Sequence, residues 1–433
     1  MAEYITVQQG LDMINEGDEI VTGLGCAEAH DLLSSIHLIA DRISKPVEIT
    51  NCLPMNDFKF QDAEFADKFF VNGWFYSPTI RKMHKNKNAS FIPNNLHLAG
   101  SRRLQHKVPR FYIGSCSAVD EHGYISLSTS NTYEKEMIDT VDIVILETNP
   151  KFPRTFGDVQ LHIDEIDYLI EANYEVPVIA SAEPNEKDAI IGQLIADLIQ
   201  DGDCIQLGIG GIPNAVARAL YGKKDLGVHT EMLTSEMAKL AKAGVITGAK
   251  KQINRGKMVT TFIMGDKELY EFAHNNPSVE VIAGSWVNNP HVIKENDNQV
   301  SINTAIEVDL TGQVASESIG HIQYSGTGGQ ADTARGACYS KGGRSIIALY
   351  STANVRNHET GERELKSKIV SQLTPGAIVS LQRQDTDYVV TEYGVASVRG
   401  CSVKERVERL IAIAHPDFRE QLLNEAKGYG IVG

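Results

Sequence analysis

Glu231 sits in the stretch His229-Thr230-Glu231-Met232, after the apolar lead Leu226-Gly227-Val228 and just ahead of a helix-like segment from Ser235 to Ala243. A carboxylate at the end of a strand can act as a nucleophile without a general base, because a glutamate of ordinary pKa, about 4.3, is ionised at neutral pH. Such a group suits attack on a thioester, whose carbonyl is electrophilic and whose leaving group is a stabilised thiolate. It can equally do no more than cap the following helix. Glu236 competes locally, but an acid in the first turn of a helix is favoured anyway by the dipole. Upstream, Gly208-Ile209-Gly210-Gly211-Ile212-Pro213 stands where a strand enters a helix. Its backbone N–H groups suit a phosphate or an acyl oxyanion, or simply form a tight turn. Pro213 replaces the third glycine of a dinucleotide fingerprint, and no acidic ribose partner follows.

A second cluster, Gly326-Thr327-Gly328-Gly329, lies within Ser325 to Asp332. It brings further N–H groups within reach of a ligand or a developing oxyanion, unless it is only a mobile turn. Lys341-Gly342-Gly343-Arg344 adds positive charge nearby, although such charges are commonly just solvated. The histidines show no metal spacing, and His415 reads as structural. Six cysteines lack any C-x-x-C pair, which points to reduced, buried thiols, and Cys116 has no histidine partner to make it a nucleophile.

The elements that must carry these residues occur twice. Gly17-Asp18-Glu19-Ile20-Val21-Thr22-Gly23-Leu24-Gly25 matches Gly202 to Gly210, Val119 to Gly123 matches Val308 to Gly312, and Asp142 to Glu147 matches Asp387 to Glu392. A fixed order of this kind argues for two copies of one α/β unit and not for a solenoid. Only the second copy carries the His-Thr-Glu-Met stretch. Each half opens with a short strand, a glycine turn and a helix, around Ala27 to Ala40 in the first and from Pro213 in the second. Strands at Met258 to Met264 and Ser345 to Leu349, with helices at Lys267 to Phe272 and Glu405 to Ala414, continue the alternation. Ser115 to Leu127 and Ser301 to Leu310 alternate with period two and read as hairpins. The expected fold is therefore two similar mixed-sheet α/β domains, 1–184 and 185–433, divided near Glu183-Pro184-Asn185-Glu186. Asn354 to Glu364 reads as an exposed loop.

The chain has 433 residues, 42% hydrophobic and 22% charged, with a formal charge of −15. That length allows two cores, and the acidity argues against a nucleic-acid groove. No signal peptide and no membrane-length apolar run is evident, so a cytoplasmic protein is expected.

Taken together, these segments resemble the acetyl-CoA hydrolase/transferase family, the class I CoA-transferases, with the closest likeness to 4-hydroxybutyrate and butyrate CoA-transferases. The resemblance rests on Leu207 to Val216, Gly227 to Met232, Val287-Asn288-Asn289-Pro290, Gly326 to Asp332, Lys341 to Ala348, Asp387 to Gly394 and Ala414 to Arg419, and extends into the first half at Ser117 to Ser126 and Asn149 to Asp158. It implies two α/β domains with the active site at their interface, in a homodimer or larger assembly. It also implies ping-pong transfer of CoA between an acyl-CoA (acetyl, butyryl or 4-hydroxybutyryl) and a carboxylate, or acyl-CoA hydrolysis by the same first step. A non-catalytic acyl-CoA-binding role is the reading from another class. CoA would be substrate, with no permanently bound cofactor, metal, nucleic acid or membrane. By position, Glu231 would be the nucleophile and Asn289 an oxyanion donor beside Gly329. Gly208, Ile209, Gly210, Gly211, Ile212, Ile306, Gly328 and Gly329 would lie along CoA. Ser90-Phe91-Ile92-Pro93 would shape the acyl pocket. One departure stands out: after Ser351-Thr352-Ala353 the Lys-containing glycine-rich loop of many members is replaced by the polar 354–366 segment.

Overall fold

The computed structural model describes residues 2–356 and 361–433. The first half supplies β1 (Glu3–Tyr4), β2 (Glu19–Thr22), β3 (Val47–Asn51), β4 (Phe69–Gly73), β5 (Ala89–Phe91) and β6 (Phe111–Ser117). It continues with β7 (Tyr124–Ser126), β8 (Ile143–Asn149), β9 (Phe156–Gly157), β10 (Gln160–His162) and β11 (Tyr168–Glu171). Eight of these form one sheet in the order β1-β11-β8-β6-β2-β3-β4-β5, parallel throughout. Such a sheet must be covered on both faces, and β6 is accordingly buried at every residue.

The second half begins β12 (Cys204–Leu207), β13 (Gly227–Leu233), β14 (Met258–Ile263), β15 (Val279–Val281), β16 (Gln299–Thr304), β17 (Glu307–Asp309) and β18 (Val314–Ala315). Then come β19 (Ser318–Ile319), β20 (Ile322–Gln323), β21 (Arg344–Ala348), β22 (Thr352–Arg356), β23 (Arg363–Ser367), β24 (Ile369–Val370), β25 (Tyr388–Thr391) and β26 (Gly394–Ser397). Its large sheet runs β26-β25-β21-β16-β12-β13-β14-β15-β9 and is mixed through the antiparallel β25–β26 pair. β9 comes from the first half, so the two halves share a sheet edge.

The duplication holds strand for strand. The run β11-β8-β6-β2-β3-β4-β5 in one sheet has the same order as β25-β21-β16-β12-β13-β14-β15 in the other. The first two sequence pairings survive at atomic detail. Asp18 accepts from Asn15 N as Asp203 accepts from Gln200 N, at 2.7 and 2.8 Å. Asp120 accepts from the N–H groups two and four residues on, and Asp309 does the same. The third pairing is corrected: β8, which follows Asp142 and carries Ile143 to Glu147, occupies the slot of β21, whereas β25 is the counterpart of β11. Both are short apolar parallel strands ending in a polar residue, so composition alone does not separate them.

Other expectations change. Ser115 to Leu127 and Ser301 to Leu310 are not simple hairpins. β6 and β16 are central parallel strands, and the chain beyond them enters small antiparallel ladders, β7 with β10 and β17 with β18. The Ala27 to Ala40 helix is broken into an α-helix His30–Ser35 flanked by 3-10 turns. Of the segment read as a loop, 354–356 and 363–364 lie in the β22–β23 hairpin, and 357–360 fall outside the described residues.

One cluster of buried apolar side chains runs through both halves, from Val21, Leu146 and Tyr133 to Val228, Ile302 and Val390. At about 1.5–3 kcal/mol for each fully buried large apolar side chain, this shared core ties the halves together. Among the described residues, no helix is long and apolar enough to cross a membrane, and all six cysteines are free.

Candidate active site

In both sheets the strands end at the same place. The carboxyl ends of β2, β3 and β4 deliver Leu24, Cys52, Leu53 and Phe75 to one side of a cavity of about 250 Å³. The carboxyl ends of β12, β13, β14 and β16 deliver Leu207, Glu231, Met232, Phe262 and Thr304 to the other. Open parallel sheets hold ligands at this edge, where the strand order switches direction. Registers make the two walls counterparts. β2 meets β3 at Ile20↔Ile49 and β12 meets β13 at Ile205↔Val228, so Leu24 corresponds to Ile209, Cys52 to Glu231 and Leu53 to Met232. Continuing into β4 and β14 pairs Phe75 with Phe262.

Glu231 is held from one side only. Asn288 Nδ2 donates to its Oε2 at 3.1 Å, and the Gly329 N–H also hydrogen-bonds the carboxylate. A β-carbon on Gly329 would stand 1.8 Å from Glu231 Oε2 and 2.2 Å from Asn288 Nδ2. Only glycine permits the loop to approach so closely. Gly326 makes a comparable approach to the first half, where a β-carbon would meet the Trp74 carbonyl at 2.4 Å. The segment Ser325 to Gln330 thus bridges the walls and seats Glu231.

Burial pushes the Glu231 carboxyl up to about 7, and the nearby Asp332 adds to the rise, while the Asn288 and Gly329 hydrogen bonds oppose it. This corrects the sequence expectation of an ordinary, fully ionised glutamate. Burial holds the His229 pKa down to about 3, and its Nε2 meets the Val287 carbonyl at 2.8 Å. The helix after β13 is capped by Thr234, whose hydroxyl accepts from Met237 N. Glu231 is therefore not that cap. Glu236 is paired with Lys239 at 2.8 Å.

The anticipated CoA residues divide. Gly208, Ile209, Gly328 and Gly329 line the cavity with Glu231. Gly210, Gly211 and Ile212 line an adjoining groove with Tyr350 and Lys368, and Ile209, Pro213 and Thr304 belong to both spaces. Ile306 reaches neither; its N–H bonds the Ala315 carbonyl at 2.9 Å. Asn289 is turned away, its side chain accepting from His291 N at 2.9 Å as the cap of the helix Pro290–Ile293. The residue on Glu231 is its neighbour Asn288. A proline at the first helical position makes the preceding residue the cap, so the sequence held the signal to choose between the two asparagines. Ser90 to Pro93 do not line the cavity, and Phe91 instead packs edge-on against Tyr76 at 5.7 Å. Arg344 stands at the opposite, amino end of its strand, paired with Asp203.

Sequence reasoning missed the apolar lining from the first half. It also missed a tie across the site, in which His97 bonds Asp332 through its ring Nδ1 at 2.9 Å and its backbone N–H at 3.1 Å. Two buried acids fix the cavity's first-half loops. Glu134 accepts from Leu24 N, and Glu28 from the backbone of Met55 and Asn56. Burial lifts Glu28 to about 8.

Known proteins share this architecture. The family models of the acetyl-CoA hydrolase/transferase N-terminal and C-terminal domains match residues 3–180 and 265–426. The chain is 44% identical to the succinyl-CoA:cyclohexane-1-carboxylate CoA transferase of Geobacter metallireducens, over 82% of this chain and 80% of that protein. It is 39% identical to the 4-hydroxybutyrate coenzyme A transferase of Clostridium kluyveri, over 98% and 97%. The crystal structure of RipA from Yersinia pestis superposes with a TM-score of 0.89 at 31% identity, covering 99% of this chain and 98% of that one. Both domains matched, and near-complete alignment with these relatives, establish that the chain belongs to the acetyl-CoA hydrolase/transferase family.

Proposed function

We propose that the protein is an acyl-CoA:carboxylate CoA-transferase in which Glu231 carries first the acyl group and then CoA. The observation that carries this reading is the Glu231 carboxylate, cradled by Asn288 and Gly329 where the two sheets' strand ends meet, with a groove leading away along Gly208 to Pro213. The name of the Clostridium kluyveri relative supports 4-hydroxybutyrate as one of the carboxylates between which CoA moves.

In the first step a Glu231 oxygen attacks the thioester carbonyl carbon, and the C–S bond breaks as CoA leaves as its thiolate. The product is a mixed acyl-glutamyl anhydride. The thiolate then attacks the glutamyl carbonyl, releases the first carboxylate and leaves a glutamyl-CoA thioester. A second carboxylate reverses both steps, with no net proton change. Each addition places negative charge on an oxygen, and the Gly329 N–H and the Asn288 amide, already directed at this carboxylate, are the groups suited to receive it. Both covalent intermediates are hydrolysable, and the lining of Leu24, Leu53, Phe75, Met232 and Phe262 keeps the centre dry. That favours transfer over hydrolysis, the family's other activity. The residues 1–184 and 185–433 would act as two units in a cytoplasmic homodimer or larger assembly.

The test is acceptor dependence. With butyryl-CoA, CoA transfer to acetate should show parallel-line ping-pong kinetics, with little CoA release when acetate is omitted. Acetate-independent release at an equal rate would make the protein a hydrolase.

A further inference from the structure

Glu231 belongs to the second half, but the segment that holds it is itself held by the first. At its start, the Arg81 guanidinium donates to the Tyr324 carbonyl at 2.7 Å and lies 4.3 Å from the Tyr324 ring. In its middle, Gly326 packs against Trp74 and Phe75. At its end, Asp332 receives His97: Oδ2 accepts from the backbone N–H at 3.1 Å, and Oδ1 meets the ring Nδ1 at 2.9 Å. With Asp332 ionised, Nδ1 must carry the ring proton, because a carboxylate only accepts.

Of these ties the last reaches Glu231 most directly. Asp332 stands in the first turn of the helix Gln330–Tyr339, and Gly329 is the cap of that helix. The Thr333 N–H donates to the Gly329 carbonyl at 2.8 Å, while the Gly329 N–H bonds the Glu231 carboxylate. A shift of the helix end therefore carries the donor with it. An acid in a helix's first turn ordinarily needs no partner beyond the helix dipole and water. Asp332 is different, because its side chain is fully buried and that of His97 is 15% exposed. Burial pushes the Asp332 carboxyl above the usual carboxylate range, and His97 and the charge of Arg335 hold it back. Arg335 is itself paired with Asp385 at 2.8 Å. The remaining charged neighbour is Glu231, whose ionisation the Asp332 charge opposes.

Taking the transferase reading as given, we infer that His97 and Asp332 are positioning residues for Glu231. The pair, one residue from each half, seats the Gly329 N–H on the carboxylate and fixes the charge beside it. The first half thus adjusts the reactivity of a group that the second half carries.

The test measures kcat and KM for butyryl-CoA with acetate, across pH, in the full-length wild type and three variants, with hydroxylamine trapping of Glu231. His97→Ala should lower kcat by about 10- to 100-fold, the scale of a displaced donor, with KM within about threefold. His97→Asn, whose amide can replace the ring donor, should stay within about fivefold of wild type in kcat. Asp332→Asn keeps an acceptor for His97 and removes the charge, so the rising limb of the pH profile should move to lower pH. An unchanged kcat in His97→Ala, or an equal loss in His97→Asn, would overturn the positioning role while the wild type still labels and turns over. Should His97→Ala fail to fold, an unmoved limb in Asp332→Asn would overturn it instead. A wild type that neither turns over nor labels Glu231 would overturn the transferase reading itself.

Discussion

Cys52 and Glu231 stand at the same position of the same strand in two copies of one sheet, and they face a common cavity. One is a thiol locked protonated by burial; the other is a carboxyl raised only to about 7. The difference lies less in the residue than in what meets it. Glu231 has Asn288 and the Gly329 N–H, brought by the segment after β15 and by the loop after β20. A duplicated scaffold thus supplies two equivalent strand ends, one met by hydrogen-bond donors and the other left as an apolar wall.

The contrast can be broken outright. Glu231→Ala should lower kcat by at least about 10⁴-fold, the scale of losing a nucleophile. Transplanting the carboxylate in a Cys52→Glu/Glu231→Ala double variant should not restore turnover, because the donors are on the other strand's side. Recovery of activity would show that position alone suffices. Gly329→Ala should cost roughly 10³-fold in kcat, since its methyl would collide with Glu231 and Asn288.

Asn288→Ala sharpens the comparison, with an expected loss of about 10²-fold in kcat. It also removes a contact that favours the ionised form, so the Glu231 pKa should rise further. In the wild type, activity should climb about tenfold per pH unit below pH 7 and level off above it. The rising limb should move to higher pH in Asn288→Ala, a shift that mere misfolding would not produce.

Stability offers a smaller effect with a defined sign. The folded-state pKa of Glu231 lies above its ordinary value of 4.5, so the folded protein binds this proton more tightly than the unfolded chain. The group's contribution to stability therefore falls as pH rises from about 4.5 to 7, and above that its charge opposes folding. Glu231→Gln should be more stable than wild type by on the order of 2 kcal/mol at pH 8, with the gap closing toward pH 4.5 in denaturant melts. Cys52→Ala, the smallest effect, should leave kcat within about threefold.

The duplication was legible because its first two markers are turns with fixed chemistry. The Gly-Asp ahead of β2 and β12, and the Asp-x-x-Gly after β6 and β16, impose the same hydrogen bonds wherever they occur. Asp142 to Glu147 and Asp387 to Glu392 misled because they are apolar strand sequence, which any interior parallel strand satisfies. At the site, Glu231 and the glycines of 208–211 and 326–329 could be read from type and spacing. That Asn288 meets Glu231 while Asn289 caps the next helix was encoded in Pro290, which marks the residue before it as the cap. The first-half lining was hidden for another reason: Leu24, Cys52, Leu53 and Phe75 look like ordinary core until folding places three strand ends together. The raised pKa of Glu231 was equally hidden, being a property of enclosure and not of the residue.

The most direct measurement is peptide mapping after the protein is mixed with butyryl-CoA and quenched with hydroxylamine. The account predicts a glutamyl hydroxamate on the peptide containing Glu231, absent without acyl-CoA and absent in Glu231→Ala. Turnover of butyryl-CoA by a protein whose Glu231 peptide stays unmodified would contradict it.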